Sequence, residues 1–283
     1  MLTDEFLSRL DRLRLAMQNP AGGGAGGVRR SRSLGASAEF SDFREYAPGD
    51  DIRRLDWNAY ARFDRLFMKL FMEEQESVVT VMVDGSASMQ AKRTEVQKAA
   101  EALCYLALGS GDRLRIAWMC GNAPVLSPFL SGRSAYPRAA EFLEAQAMAG
   151  PTELLSAIRR IDPFPRGMCF LISDGYLEEG MERPLELLQY LRQECAFLQV
   201  LSPLEMNPEL EGAVRLKDAE GAPDLELLVD GAALRQYRKA LQAFLSEIRE
   251  LCHRRGIPYL LLDGASPFEE RFIPLLAKQG MIV

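Results

Sequence analysis

Histidine is almost missing from this chain: its 283 residues include one, His253. A metal centre built on imidazoles cannot be assembled from it, and Ser86 and Ser88 have no histidine near them in sequence to act as base. The five cysteines, Cys104, Cys120, Cys169, Cys195 and Cys252, form no C-x-x-C pair and are odd in number, a pattern of buried thiols in a reducing compartment rather than a disulfide framework. No apolar run approaches the ~20 residues needed to span a bilayer, and no basic segment followed by an apolar core opens the chain. The expected setting is cytoplasmic, without a membrane span. Basic charge is also in deficit. A formal net charge of -6 and a pI near 5.2 argue against nucleic acid as the main partner, because phosphate contacts call for a basic face. The small cluster Arg29, Arg30 and Arg32 reads as a solvated segment.

Apolar residues make up 48% of the chain, enough for a sizeable core without staples. Leu2 to Met17 sets Phe6, Leu10, Leu13 and Met17 on one side at helical spacing behind a Thr3 cap, which predicts one amphipathic helix. That stripe serves equally for packing on its own domain or on a partner. Pro20 to Gly27, PAGGGAGG, reads as a flexible loop. It is no phosphate cradle, since it follows a helix and lacks both a lysine and the ordered glycine spacing. Ser31 to Glu76 is dense in charge and aromatics, with a Pro48-Gly49 turn and Asp50 or Asp51 placed to cap a short helix containing Ile52, Leu55 and Tyr60.

From Val78 onward, short apolar runs alternate with helical patterns. Val78 to Val83 is a continuous β-branched-rich run of the kind covered on both faces. Further strands are expected at Leu114 to Met119, Val125 to Phe129, Met168 to Ser173, Ala196 to Leu201 and Tyr259 to Leu262, with helices around Glu141, Leu155, Leu187, Ala243 and Leu275. The fold class is therefore α/β, a three-layer, mostly parallel sheet. Gly121-Asn122 predicts a hairpin that adds an antiparallel edge strand, and Glu220-Gly221 predicts a second hairpin within Val214 to Val229. Three segments follow: 1–27, an amphipathic helix and Gly-rich loop; 28–77, a small collar; and 78–283, the α/β domain.

The chemistry is concentrated in VDGSASM, which sets Asp84, Ser86 and Ser88 in a D-x-S-x-S pattern at the end of the first core strand, where ligand sites of open α/β sheets lie. Two further oxygen donors occupy equivalent loops, Thr152 in GPTELL and Asp174 in FLISDG. Five hard oxygen donors suit Mg²⁺, Mn²⁺ or Ca²⁺ rather than Zn²⁺. A lone D-x-S-x-S is equally a serine-rich helix cap; what points to a metal site is its combination with a threonine loop and an S-D-G after another strand. Lys92, Arg93 and Glu95, on the helix that follows, read as a solvated face. His253 lies late in a helix beside Arg254 and Arg255, where it serves as a C-terminal helix charge.

On these five residues the chain from about Val78 resembles a von Willebrand factor A domain with a metal-ion-dependent adhesion site. The preceding GASAEFSDFREYAPGDDIRRLDWNAYARFDRLFMKLFMEE resembles the signature of the bacterial domain-of-unknown-function 58 family at Glu39, Phe40, Arg44, Tyr46, Gly49, Asp50, Arg53, Asp56, Trp57 and Arg62. The resemblance implies a metal-dependent protein-interaction module. Hydroxyl ligands leave the ion enough charge to take an acidic residue from a protein partner or client. The resemblance also implies a MoxR-type AAA+ ATPase as companion, a role in assembling or activating protein complexes, and no enzymatic activity. A dehalogenase-like phosphohydrolase would need a second aspartate where Ser86 stands. A scaffold with an empty metal site is the other alternative. The Arg44, Asp50, Arg53, Asp56 and Trp57 group reads either as an internal ion-pair and aromatic cluster docking the collar, which is the preferred reading, or as a surface for the ATPase.

Overall fold

The computed structural model describes residues 2–16, 40–46, 55, 57–63, 65–71, 78–210, 212–217 and 224–283. The chain divides into two compact units, Met1–Ser31 with Ser77–Val283, and Arg32–Glu76. The glycine-rich segment 20–27, the arginines at 29, 30 and 32, the capping aspartates 50 and 51, Arg53, Asp56 and the turn at 220–221 lie outside the described residues.

The larger unit is built on a seven-stranded sheet. Strands β3 (Val78–Asp84), β4 (Arg113–Cys120), β7 (Gly167–Ser173), β8 (Glu194–Val200) and β11 (Tyr259–Leu262) are mutually parallel in the order β11-β8-β7-β3-β4. At the β4 edge, β5 (Ala123–Leu126) and β6 (Leu130–Ser131) run antiparallel to it. The Gly121-Asn122 hairpin thus forms as expected, while the single strand expected over 125–129 is two short pieces. Ser127 separates them: its backbone N–H donates to Ile116 O and its hydroxyl accepts from Ile116 N, so a side chain takes over one rung of the ladder.

Helices cover both faces, which is why β3 is buried from end to end. Val79, Val81 and Val83 belong to a core shared with α1 (Asp4–Leu10), α3 (Arg93–Gly109), α4 (Tyr136–Ala145) and α9 (Phe268–Lys278). Met82, with Cys169, Leu171 and Phe197, belongs to the opposite core, under α5 (Leu154–Arg159), α6 (Glu182–Tyr190) and α8 (Gly231–Arg254). The period-2 alternation of a strand sorts neighbouring residues to the two sides, so a run with no polar face is what a doubly covered sheet demands. A short helix α7 (Pro203–Met206) follows β8. Strands β9 (Gly212–Leu216) and β10 (Leu225–Val229) form the second expected hairpin, a separate antiparallel pair.

Helix α1 ends at Leu10, shorter than its apolar pattern suggests. Thr3 caps it, its hydroxyl accepting from Phe6 N at 3.3 Å. The helix is part of the α/β unit. Phe6 is buried with its ring edge-on to Phe268, Asp11 accepts from the Tyr105 hydroxyl at 2.6 Å, and Arg14 and Val283 exchange backbone hydrogen bonds. Beyond Leu10 the chain gives up helical hydrogen bonds for that pairing with the C-terminal residues.

In the smaller unit, β1 (Phe40–Glu45) pairs antiparallel with β2 (Phe67–Phe71), and α2 (Trp57–Phe63) lies between them in sequence. Of the residues expected in a short helix here, Tyr60 lies in α2 and Leu55 does not, while Ile52 lies outside the described residues. The Trp57 and Tyr60 rings meet edge to face at 6.4 Å and both are exposed. Among the described residues, no helix is long and apolar enough to cross a membrane.

Candidate functional site at the carboxyl ends of β3 and β7

After β3 the chain returns through α3 to β4 on one side of it, and later enters β7 on the other. Strands β3 and β7 therefore flank the point where the winding reverses, the position at which the ligand crevice of an open α/β sheet lies. Asp84 ends β3 and Asp174 follows directly on β7. The sheet has placed these two carboxylates side by side although 90 residues of sequence separate them.

Four of the five residues expected at a site join one hydrogen-bonded run. Asp84 is buried; its Oδ1 accepts from Ser86 N at 3.0 Å and its Oδ2 from the Ser173 hydroxyl at 2.7 Å. Ser86 Oγ lies 3.0 Å from Ser88 Oγ, and Ser88 Oγ donates to Asp174 Oδ2 at 3.1 Å. Asp174 Oδ1 accepts from Tyr176 N at 3.1 Å, and its carbonyl oxygen from Gln199 Nε2 at 2.7 Å. Burial pushes the Asp84 carboxyl above its ordinary range, and the neighbouring Asp174 charge adds to the rise, against the lowering effect of the bonds from Ser173 and Ser86. A positive charge beside these carboxylates would offset that rise by favouring the charged form.

The fifth residue stands slightly apart. The Thr152 hydroxyl donates to Met119 O at 3.2 Å rather than joining the serine run. Its loop is nevertheless laced to the D-x-S-x-S loop, since Ala149 N donates to Gly85 O at 2.9 Å and Ala87 N to Gly150 O at 2.8 Å. The serine cap reading finds no support in side-chain geometry: Ser86 stands at the N-cap of the 3-10 turn Ala87–Lys92, yet its hydroxyl makes no capping bond. Gly85 is required by space. A Cβ there would lie 2.3 Å from Trp118 Nε1 and 2.9 Å from Met119 O.

Lys92 overturns an expectation. Instead of belonging to a solvated face it is buried, its side chain 1% exposed, with Nζ 2.7 Å from Asp174 Oδ2 and 2.8 Å from Glu205 Oε1. The 3-10 turn explains the misreading: residues 87–92 precede α3 and do not follow its face, so helical periodicity assigns Lys92 the wrong direction. Arg93, by contrast, reaches back to Gln146 O at 2.8 Å, and Glu95 pairs with Arg271 at 3.2 Å. Glu205 is itself held. Its other oxygen accepts from Ser202 N and Oγ, both at 2.7 Å, in a capping box, and its carbonyl accepts from the Tyr237 hydroxyl at 2.6 Å. Tyr176, beside Asp174, has its ring centroid 5.8 Å from Lys92 Nζ and stacks on Phe244 at 4.7 Å. Ser173, Tyr176, Gln199 and Glu205 are not among the residues expected at the site, and Lys92 is expected to face solvent. Ser173 and Tyr176 flank Asp174 in sequence and Lys92 ends the turn that carries Ser88, whereas Gln199 and Glu205 arrive from elements whose proximity the fold alone decides.

Two carboxylates and two hydroxyls in one run are hard oxygen donors. Among the described residues no three His, Cys, Asp or Glu side chains cluster as a metal site, so hydroxyls would have to supply the remaining ligands here. His253 lies in the last turn of α8, the position expected of it.

Comparison with known proteins bears on the family. An uncharacterized protein of Mycobacterium bovis and one of Mycobacterium tuberculosis are each 30% identical over 240 residues, covering 81% of this chain and 75% of theirs. Among solved structures, the conserved hypothetical protein BatB from Bacteroides thetaiotaomicron aligns over 72% of this chain and 98% of its own, at 14% identity and a TM-score of 0.42. The manganese-loaded TRAP protein of Plasmodium vivax aligns over 74% and 75%, at 15% identity and 0.39. The VWA domain of SpRpn10 aligns over 70% and 93%, at 7% identity and 0.39. The profile described as "Protein of unknown function DUF58" matches residues 42–247. That match covers most of the chain and takes in parts of both compact units, and the chain belongs to this family.

Proposed function

We propose that the chain is a divalent-cation-dependent protein-interaction module, in which Ser86, Ser88, Asp84 and Asp174, with Thr152 on the adjoining loop, hold Mg²⁺ or Mn²⁺. The observation that carries this reading is the spacing of Ser86 Oγ, Ser88 Oγ and Asp174 Oδ2, 3.0 and 3.1 Å in succession. Neighbouring ligands on an octahedral Mg²⁺, with bonds of about 2.0–2.1 Å, stand about 2.9 Å apart. Such an ion, held largely by neutral hydroxyls, would supply positive charge for a carboxylate on a partner. The chain's own residues do the rest: Ser173 and Ser86 N fix the Asp84 carboxylate, Tyr176 N fixes Asp174, and the lacing of Gly85 and Ala87 to residues 149 and 150 keeps the threonine loop near.

The partner follows by resemblance to the family: a client presenting an acidic residue, and a MoxR-type AAA+ ATPase with which the module assembles or activates other complexes. Five free thiols, four of them buried, fit a cytoplasmic setting. A binding role rather than an enzymatic one is supported by the site's makeup. Both aspartates are already engaged by hydrogen bonds, and the carboxylate that the Ser88 hydroxyl meets, Asp174, is taken up by Lys92 and Tyr176 N. The Lys92 ammonium on Asp174 favours a second reading, a scaffold whose crevice is closed by an internal ion pair and takes no metal.

Binding of Mn²⁺, followed by the paramagnetic resonance of the free aqueous ion, separates the two. The first reading expects one ion per wild-type chain, lost in the doubly substituted Ser86→Ala, Ser88→Ala protein with its circular dichroism unchanged. It also expects a purified MoxR-type ATPase or its client to be retained in Mg²⁺ and released by chelator. Equal Mn²⁺ binding by wild type and double variant refutes this assignment of ligands.

A further inference from the structure

A lysine ammonium occupies the carboxylate that a cation in this crevice would need. Lys92 Nζ and Ser88 Oγ both lie on Asp174 Oδ2, at 2.7 and 3.1 Å, so any ion seated against the two serine hydroxyls stands within a few ångströms of a positive charge. The charge is covalently tethered at the end of the turn that carries those serines, and it is shielded from water, so salt screens it poorly. Burial alone does not make Lys92 a competitor; its second seat does. Glu205 Oε1 accepts from the same ammonium at 2.8 Å, while Glu205 Oε2 and carbonyl are fixed by Ser202 and Tyr237. Lys92 can therefore yield Asp174 to another cation and remain ion-paired, without stranding a buried charge.

We propose that Lys92 is a built-in competitor for the divalent cation. It holds Asp174 when the ion is absent, gives it up to Glu205 when the ion binds, and thereby sets the site's affinity low enough for loading to follow cation concentration or the arrival of a partner's carboxylate. This rests on the cation-binding reading above. It assigns Lys92 the tuning of affinity, and Glu205 with its capping box the receiving seat. It also joins the state of the crevice to α7 and, through Tyr237, to α8.

Mn²⁺ titration of the full chain, by calorimetry and by resonance of the free ion, tests it with three substitutions. Lys92→Met and Lys92→Gln remove the charge and are expected to bind Mn²⁺ at least ten-fold more tightly than wild type. Lys92→Arg keeps the charge and is expected to stay within about two-fold of wild type. A structural role for Lys92 would instead lower affinity in all three. Should the uncharged variants not fold, the wild type answers alone. The ammonium ¹⁵N resonance of Lys92 is expected to shift in proportion to occupancy as diamagnetic Mg²⁺ is added, and a resonance unmoved at saturation overturns the proposal. Wild-type binding with no tightening in Lys92→Met or Lys92→Gln also overturns it, while leaving the cation site standing. No Mn²⁺ binding by the wild type or by any of the variants overturns both.

Discussion

Gly85 stands between Asp84 and Ser86, and replacing it with alanine tests whether the crevice depends on close backbone approach. The added Cβ would meet Trp118 Nε1 at 2.3 Å and Met119 O at 2.9 Å. The carbonyl cannot retreat, because Gly85 N donates to it at 2.7 Å; the indole must move. Trp118 is buried, and its Nε1–H donates to Ala147 O at 3.1 Å, so its movement breaks a half-buried bond to the same loop that carries Thr152. Overpacking costs about 1–3 kcal/mol, and a buried donor left unpaired about 1–3 kcal/mol. Against these, the stiffer unfolded chain returns about 0.4–1 kcal/mol, since Gly85 does not need a positive φ. The expected net loss is about 1–6 kcal/mol. Urea unfolding followed by tryptophan emission and circular dichroism measures it, with the buried Trp118 giving the blue-shifted component and the exposed Trp57 the red one. Trp118→Phe removes Nε1, so Gly85→Ala should cost at least ~1 kcal/mol less in that background, because contacting residues couple. Mn²⁺ affinity should fall with Gly85→Ala as well. A loss under ~0.5 kcal/mol, or losses that simply add across the double-mutant cycle, would refute the reasoning.

Two further expectations concern the frame around the site. Phe6→Ala should destabilise by about 3–5 kcal/mol, because the ring is 1% exposed and packs 5.7 Å from Phe268; denaturant unfolding reads the loss, and a change below ~1 kcal/mol would mean that α1 is not part of the core. The Lys98 hydrogen bond, at 2.8 Å, holds the Glu269 carboxyl below its ordinary range. A carboxyl lowered on folding stabilises above its unfolded pKa, and the contribution is lost as pH falls through the folded value. Glu269→Gln should therefore cost about 0.2–1 kcal/mol at pH 7 and nothing near pH 2. Melting temperatures across that range check the convergence, and parallel curves would contradict it.

Within the site, what could be read from sequence was local. VDGSASM and FLISDG announce themselves as a strand followed by small and acidic residues, and four of the five expected donors meet in one run. Lys92 was misread because the stretch after Ser86 winds as a 3-10 turn before α3 begins, and a pattern read at 3.6 residues per turn sends its side chain the wrong way. Glu205 was invisible: nothing in S-P-L-E-M says that its carboxylate faces a lysine 113 residues earlier. The β1–β2 pair was missed because the charged and aromatic residues of both segments lack a clean alternation.

By itself the sequence determined the α/β class, the position of the parallel strands, the antiparallel hairpins and the chemical type of the donors, because each rests on residues close together in the chain. The tertiary structure decided which of those donors face one another, that Thr152 turns its hydroxyl to Met119, that α1 docks on the α/β core, and that a buried ammonium shares Asp174 with Ser88. Those outcomes depend on strand order and on which loops lie at the reversal of winding between β3 and β7, and side-chain periodicity carries no information about either.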